Sequence, residues 1–315
     1  MWTRRAILAA GAAVAAGGLL PRPSFAATGQ LRVALQAEPP HLDPTAEPSA
    51  ATMQTSFQNL FEGLTRIDEH GGVQPALAKS WAVSPDGLTY TFALQSEVRY
   101  HDGTAFDAQH VIFTLNRLLD PNAGNPQRAL FAGIASATAP DDTTINIVLK
   151  QKDEAFLFNL GRAEASIVAP ESADNNRNVP IGTGPFVLTQ WDHGQRILFD
   201  RNEDYWGVHP LISQATLVFI ADPAAGIAAL VGNEIDGYPV FPAPDALAAL
   251  KSNTAVQITT GTGPDKQPRT GVWNSQLSGM WVDAPVEAVP LAGIKWAGDT
   301  SQPQVGPAPF ITNSD

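Results

Sequence analysis

The chain has 315 residues, of which 44% are hydrophobic and 16% are charged, as expected of a globular protein of one to three domains. Its formal net charge of −12 argues against a nucleic-acid-binding role. Because cysteine is absent, disulfides and cysteine metal sites are excluded.

Residues 1–26 are predicted to form a secretory signal peptide. The pair Arg4-Arg5 precedes an apolar run that ends at Leu20, and Ser24-Phe25-Ala26 has the small-x-small pattern of a cleavage site. The paired arginines are typical of twin-arginine export leaders. A transmembrane anchor is the less favoured alternative, because the apolar run is shorter than the roughly 20 residues that cross a bilayer.

The mature chain begins with a predicted strand, Leu31 to Leu35, which leads into a loop over residues 36–44. Two adjacent prolines stiffen this loop, and ligands of open α/β sheets bind beyond the carboxyl ends of the strands. The loop is therefore a candidate pocket wall, and the Glu38 carboxylate could meet a peptide amine or another cation. The alternative is that the loop only redirects the chain and that Glu38 is a solvated charge.

A compact α/β unit is predicted to follow this loop. Residues 50–64 are interpreted as a helix, and the alternation from Thr89 to Leu94 predicts a half-buried strand. A second alternating strand, residues 143–149, is expected to pair with it. Between these strands, Asp107 is a good N-cap for an amphipathic helix that Pro121 ends.

A hairpin and a strand–helix pair are predicted further along the chain. Phe186–Trp191 and Arg196–Asp200 are the arms of the hairpin, joined by a turn at Asp192-His193-Gly194. Residues 217–220 are predicted as a strand, and residues 224–230 as a helix with a glycine at its end. The Gly/Pro-rich stretch 261–272 shows no periodicity.

No catalytic motif is present in the sequence. Gly182-Thr183-Gly184 lacks the third glycine of a dinucleotide loop, so a turn is the better interpretation. The sequence has no nucleophile elbow, no paired-histidine zinc motif and no Walker loop. The histidines never fall at metal-ligand spacing, so each is interpreted first as a surface or turn residue: His41, His70, His101, His110, His193 and His209. His41 is kept, with Glu38, as an exception because both lie on the candidate loop 36–44. The strand aromatics are interpreted mostly as core residues: Trp81, Tyr90, Phe92, Trp191 and Trp206.

Three stretches together carry a family resemblance. They are LFEGLTRID at 60–68, IGTGPF at 181–186 with DRNEDYW at 200–206, and AALVGNEID at 228–236. Their order resembles that of the extracytoplasmic solute-binding proteins of ABC importers, in family 5, which binds peptides, nickel and opines. The resemblance covers most of residues 30–262. One departure is His110, where the family usually carries an acid in the first helical turn.

The resemblance implies an α/β fold of the periplasmic-binding-protein type (class II-like). It implies a first lobe with an inserted α/β subdomain and a second lobe that is largely deleted. Under this interpretation the chain divides as follows: signal peptide 1–26, first lobe 27–262 with the insert at about 61–179, junction 263–272 replacing the second lobe, closing segment 273–297 and disordered tail 298–315.

The resemblance also implies a function. The chain is expected to be a periplasmic, non-enzymatic protein that captures short peptides or a related small solute and delivers them to an ABC permease in the inner membrane. The expected ligand-binding residues are Gln36, Glu38 and His41, and no cofactor, metal or nucleic acid is expected. Loss of the second lobe would impair binding. The alternative is a degenerate, non-transporting paralogue that acts only as a structural or interaction module; a secreted hydrolase has no motif to support it.

Overall fold

The computed structural model describes residues 29–47, 49–68, 71–125, 127–254, 256–262, 268–274, 280–282 and 294–296. The α-helices in this part of the chain are α1 (Ala50–Ser56), α2 (Ala108–Leu119), α3 (Phe156–Asn159), α4 (Pro223–Val231) and α5 (Leu247–Leu250). The first strands are β1 (Gln30–Leu35), β2 (Thr65–Ile67), β3 (Val73–Pro75), β4 (Ala78–Val83), β5 (Thr89–Leu94), β6 (Ile134–Asp141) and β7 (Thr144–Leu149). The later strands are β8 (Phe186–Asp192), β9 (Arg196–Arg201), β10 (Gln214–Phe219), β11 (Gly237–Tyr238), β12 (Val256–Thr262), β13 (Pro268–Asn274), β14 (Met280–Val282) and β15 (Ile294–Trp296).

A seven-stranded mixed sheet forms the larger part of the fold, in the order β12-β13-β11-β1-β10-β9-β8. β1 runs parallel to β10, with Val33 opposite Leu217, and parallel to β11. The other pairings are antiparallel, including the predicted hairpin of β8 and β9.

The sequence did not predict one strand of this sheet. The stretch 261–272 is interpreted above as a Gly/Pro-rich junction without periodicity, whereas residues 261–262 belong to β12 and residues 268–272 belong to β13, which pairs with β12 and with β11. Residues 268–272 have no alternating apolar pattern, and they include a proline and a glycine, which are disfavoured inside strands. Backbone pairing with the neighbouring strands therefore makes this stretch a strand.

The large sheet is covered on both faces. Leu31, Val33 and Leu35 of β1 point into one core, whereas Ala34 packs with Leu230 in a second core under α4 and α5. Successive side chains of a strand face opposite sides, so a strand that is apolar on both sides needs two cores. This explains why β1 reads as an almost continuous apolar run.

A separate four-stranded antiparallel sheet, in the order β4-β5-β7-β6, carries α2 on one face. The predicted pairing of β5 with β7 is confirmed, with Phe92 opposite Ile145. The alternation is confirmed as well, because Tyr90 and Phe92 are buried. Trp81 and Trp206 lie only partly buried at the margin of this core, and Trp191 at the margin of the core beneath β1.

Helix α2 begins as the sequence predicted. The Asp107 side chain accepts from the Gln109 and His110 amides at 2.8 and 3.3 Å, and His110 Nδ1 lies 3.2 Å from the Asp107 amide. This is a capping box in which the imidazole of His110 occupies the place of the acid. His110 is also buried, so its interpretation as a surface or turn residue is wrong.

The helix predicted over residues 50–64 is much shorter. Helix α1 ends at Ser56, and Gln58 adopts a left-handed conformation with φ of 60°. The turn that follows sends Leu60 and Phe61 into the core beneath β1 and sends Leu64 into the core of the four-stranded sheet. A continuous helix would point these residues to one side only.

The predicted signal peptide and tail lie outside the described residues. Strands β14 and β15, which fall within the expected closing segment, pair with each other. Within the part of the chain that the structure describes, no helix has the length and apolar character needed to cross a bilayer.

Candidate functional site

The carboxyl ends of the parallel strands β1, β10 and β11 lie on one side of the large sheet. The loop 36–44 leaves β1 there. The turn 192–195 lies there too, because β9 runs antiparallel to β10 and the Phe219 amide donates to the Gln195 carbonyl at 2.9 Å. We define this group of loops as the carboxyl edge. In α/β sheets it is the usual place for a ligand, and it contains all three predicted binding residues.

Glu38 binds the hairpin turn with both of its carboxylate oxygens. Its Oε1 accepts from Trp191 Nε1 at 2.8 Å and from His193 Nδ1 at 2.9 Å, and its Oε2 accepts from the Gly194 amide at 2.9 Å. Burial alone would raise the pKa of Glu38, but the bonds from His193, Gly194 and Trp191 outweigh it and hold the pKa below its ordinary value. Glu38 is therefore an anion that fixes two loops of the carboxyl edge together.

The other two predicted residues are placed differently. Gln36 is exposed at the end of β1. His41 is buried, and neither of its ring nitrogens has a hydrogen-bond partner among the described residues. Burial, with a smaller effect from Arg177, lowers its pKa. The interpretation of His41 as a surface or turn residue is therefore wrong, and no hydrogen bond in the described structure joins Gln36, Glu38 and His41 to one another.

A partly buried ion pair holds the far end of the loop 36–44. Asp43 is 1% exposed; its Oδ1 accepts from the Thr45 amide and hydroxyl, and its Oδ2 accepts from Arg117 of α2 at 3.1 Å. Arg117 also donates to the Thr45 hydroxyl. The loop is thus attached to the hairpin turn by Glu38 and to α2 by Asp43, which gives the carboxyl edge a fixed shape.

The motif segments 60–68, 181–186 and 200–206 meet at a second buried carboxylate, that of Glu62. It accepts from the Thr183 hydroxyl at 2.9 Å, the Tyr205 hydroxyl at 2.8 Å and Trp206 Nε1 at 2.9 Å. Burial raises the pKa of Glu62, and these bonds and Arg66 oppose that rise only in part. The side chains of this cluster are fully engaged with one another, so the cluster serves the fold.

His101 holds the same Gly182–Gly184 segment from another side. Its Nδ1 accepts from the Gly182 amide at 3.3 Å, and its Nε2 donates to the Gly184 carbonyl at 3.1 Å. Burial lowers the pKa of His101 to about 4, against a smaller raising effect of its backbone bonds. Gly182 itself leaves no room for a side chain, because a Cβ there would lie 1.9 Å from the Leu60 carbonyl oxygen.

Sequence reasoning placed Trp191 and His193 in the hairpin but did not assign them to the site. They lie 153 and 155 residues from Glu38 along the chain. A local sequence pattern cannot predict a contact between residues so far apart. The one available signal was the topology, because a turn before a strand antiparallel to β10 must lie at the carboxyl edge. Among the described residues, no group of three or more acidic or histidine side chains could hold a metal ion.

An α/β lobe with its candidate site at the carboxyl ends of parallel strands has the architecture of a periplasmic binding protein. Comparison with known proteins agrees, because residues 72–278 match the model for bacterial extracellular solute-binding proteins, family 5. The chain belongs to this family, whose members are binding proteins and not enzymes.

Individual relatives show the same relationship. The chain is 31% identical over 257 residues to di/tripeptide-binding protein 2 of Pseudomonas aeruginosa, covering 72% of this chain and 48% of that protein. It resembles the solved structure of AgaA from A. tumefaciens R10 in complex with agropinic acid, with a TM-score of 0.69, 29% identity, and 74% of this chain and 48% of that chain covered. The periplasmic binding protein DppA of Helicobacter pylori in complex with the peptide STSA gives a TM-score of 0.68 and 28% identity, with 75% and 51% covered. The chain thus spans about half the length of these relatives.

Proposed function

We propose that this chain is the extracytoplasmic solute-binding component of an ABC importer, and that it captures short peptides or a related small solute for delivery to a membrane permease. The observation that carries the proposal is the family match over residues 72–278. The peptide-binding names of two relatives support a peptide as the solute. On the loop after β1, Gln36 and His41 are the residues proposed to contact the ligand, and Glu38 is proposed to act in the site through the turn 192–195 that it binds.

We place this function in the periplasm, reached by the twin-arginine route. The support is the sequence of residues 1–26 alone, with its paired arginines, short apolar run and Ser24-Phe25-Ala26 cleavage pattern. Exchange of Arg4 and Arg5 for lysine is expected to keep the chain in the cytoplasm, as cell fractionation would show.

Binding by this 315-residue chain is expected to be weak. On the interpretation that residues 263–272 replace a second lobe, a solute meets one wall instead of two. Affinity depends on the contacts that are desolvated on binding, and in complete two-lobed proteins hinge closure buries the ligand. Removing one wall should therefore reduce affinity by orders of magnitude.

Calorimetric titration with di- and tripeptides tests the proposal. We expect dissociation constants weaker than about 1 μM, which corresponds to about −8 kcal/mol. The variant Gln36→Ala, at the carboxyl end of β1, should weaken binding, whereas Gln30→Ala, exposed at the amino end of the same strand, should not. Submicromolar binding would contradict the impairment, and no binding at millimolar peptide would favour the non-transporting paralogue.

A further inference from the structure

His193 is held on one side and open on the other. Its Nδ1 lies 2.9 Å from Glu38 Oε1, and its side chain is 73% exposed while that of Glu38 is 29% exposed. Among the described residues, no hydrogen bond reaches Nε2 of this ring. The imidazole therefore presents one nitrogen to solvent at the carboxyl edge.

The partner of Nδ1 determines the chemistry of Nε2. An ionised carboxylate only accepts hydrogen bonds, so Nδ1 must carry the proton that it donates to Glu38. In the neutral ring, the outward Nε2 then has a lone pair and acts as an acceptor.

The ring is also fixed in position. Trp191 lies beside it with ring centroids 4.5 Å apart and planes at 41°, and the Trp191 indole donates to the same carboxylate oxygen. The Gly194 amide binds the other oxygen of Glu38 at 2.9 Å. A side chain fixed in this way loses little conformational entropy when a ligand binds.

The electrostatic surroundings favour a cation. Glu38 is ionised, and its charge has no arginine or lysine hydrogen-bond partner among the described residues. The neighbouring Asp192 pairs with Arg196 at 2.9 Å, which leaves that pair neutral. Asp222, which follows β10 at the carboxyl edge, caps α4 by accepting from the Ala224 amide. An exposed acceptor backed by a carboxylate therefore suits a ligand that donates hydrogen bonds and carries positive charge.

We propose that Nε2 of His193, oriented by Glu38 and Trp191, is a subsite for a primary ammonium group of the solute, either a peptide α-amino group or a lysine-type side chain. This rests on the proposed solute-binding function and deepens it. His193 makes the direct contact, whereas Glu38 and Trp191 are positioning residues.

The test is NMR of the full chain labelled with ¹⁵N in its histidines and backbone, at about pH 7.3, where an ordinary imidazole is mostly neutral and an α-amino group is still mostly protonated. The probes are Ala-Ala, N-acetyl-Ala-Ala, N-acetyl-lysine amide and methylammonium. The expected result is a shift of the His193 Nε2 signal with Ala-Ala and methylammonium but not with N-acetyl-Ala-Ala. A response to N-acetyl-lysine amide distinguishes a side-chain ammonium from an α-amino group as the source.

The variant His193→Phe keeps a ring beside Trp191 and removes the nitrogen, and it should weaken Ala-Ala binding about tenfold, as expected for one hydrogen bond to a charged group. His209→Gln, at a second exposed histidine, is the matched control and should leave affinity unchanged. No Nε2 shift with any ammonium probe, or an equal shift with N-acetyl-Ala-Ala, overturns the proposal.

The same spectra separate this subsite from the proposed function. A shift of the Gln36 amide with Ala-Ala but no Nε2 response means that the chain binds peptides and that the His193 subsite is wrong. An Nε2 response to methylammonium with no peptide response at Gln36 means that the subsite is right and that peptide capture is wrong.

Discussion

Glu62 offers the sharpest test of the forces that hold the fold together. Its carboxylate is buried and receives three hydrogen bonds, from Thr183, Tyr205 and Trp206. In Glu62→Ala all three donors lose their partner, and each unsatisfied buried donor costs about 1–3 kcal/mol. Relief of the buried charge offsets part of this cost. We expect the free energy of unfolding to fall by about 3–5 kcal/mol.

Glu62→Gln should behave very differently. The amide oxygen can take the bonds from Thr183 and Trp206, while the amide nitrogen donates to the Tyr205 hydroxyl, which can rotate to accept. All three contacts survive and the buried charge is gone. We expect this variant to match or exceed the wild-type stability at neutral pH.

The stability difference between Glu62→Gln and the wild type should change with pH in a direction that tests this explanation. Burial raises the pKa of Glu62 above its ordinary value of 4.5, so the folded chain holds this proton more tightly than the unfolded chain. The stability that Glu62 contributes is therefore fully present below its unfolded pKa and is lost as pH rises through the raised folded pKa. Relative to the wild type, Glu62→Gln should gain stability as the pH rises from 4.5 toward neutrality. Urea unfolding across this range measures the gain, and a Gln variant that becomes relatively weaker as pH rises would refute the reasoning.

Three further predictions concern the contacts around the motif stretches and the loop 36–44. Arg117→Met leaves the buried Asp43 carboxylate without its charge partner and should cost about 3–5 kcal/mol in urea unfolding; a loss below about 1 kcal/mol would contradict it. The pKa of His101 falls from 6.5 to about 4 on folding, so its contribution is present above 6.5 and is lost as pH falls toward 4. His101→Gln should therefore lose less stability over that interval than the wild type, and an identical acid-induced loss would count against it. Gly182→Ala places a Cβ 1.9 Å from a carbonyl oxygen and should cost at least about 3 kcal/mol in thermal or urea unfolding, whereas Gly133→Ala, which meets nothing within 4 Å, serves as its control.

Features set by local chemistry were the ones that the sequence predicted well. The alternation of β5 is decided by a period of two, and the start of α2 is decided by Asp107 and its neighbours. The family resemblance was carried by short stretches in a fixed order. None of these needs information from distant parts of the chain.

The missed features depend on contacts between distant residues. Helix α1 ends at Ser56 because the residues after it belong to two different cores, although their spacing alone suits a helix. Strand β13 exists because β12 and β11 pair with it, in spite of a composition that favours a loop. Likewise, the bond between Glu38 and His193 spans 155 residues, and only the order of strands in the sheet places them together.

The residues that identify the family are different from those that we propose to select a solute. In the motif stretches, the Glu62 carboxylate accepts hydrogen bonds from Thr183, Tyr205 and Trp206. The Asp236 carboxylate likewise accepts from the amide and the guanidinium of Arg32. A polar group that is already paired inside the fold has little left to offer a ligand. The motifs therefore specify the lobe and leave the solute open. If the carboxyl edge is the solute site, as we propose, selectivity comes from its side chains that keep an unpaired atom toward solvent. A change of solute is then expected to follow changes in the loop 36–44 and the turn 192–195 while the Glu62 cluster stays as it is.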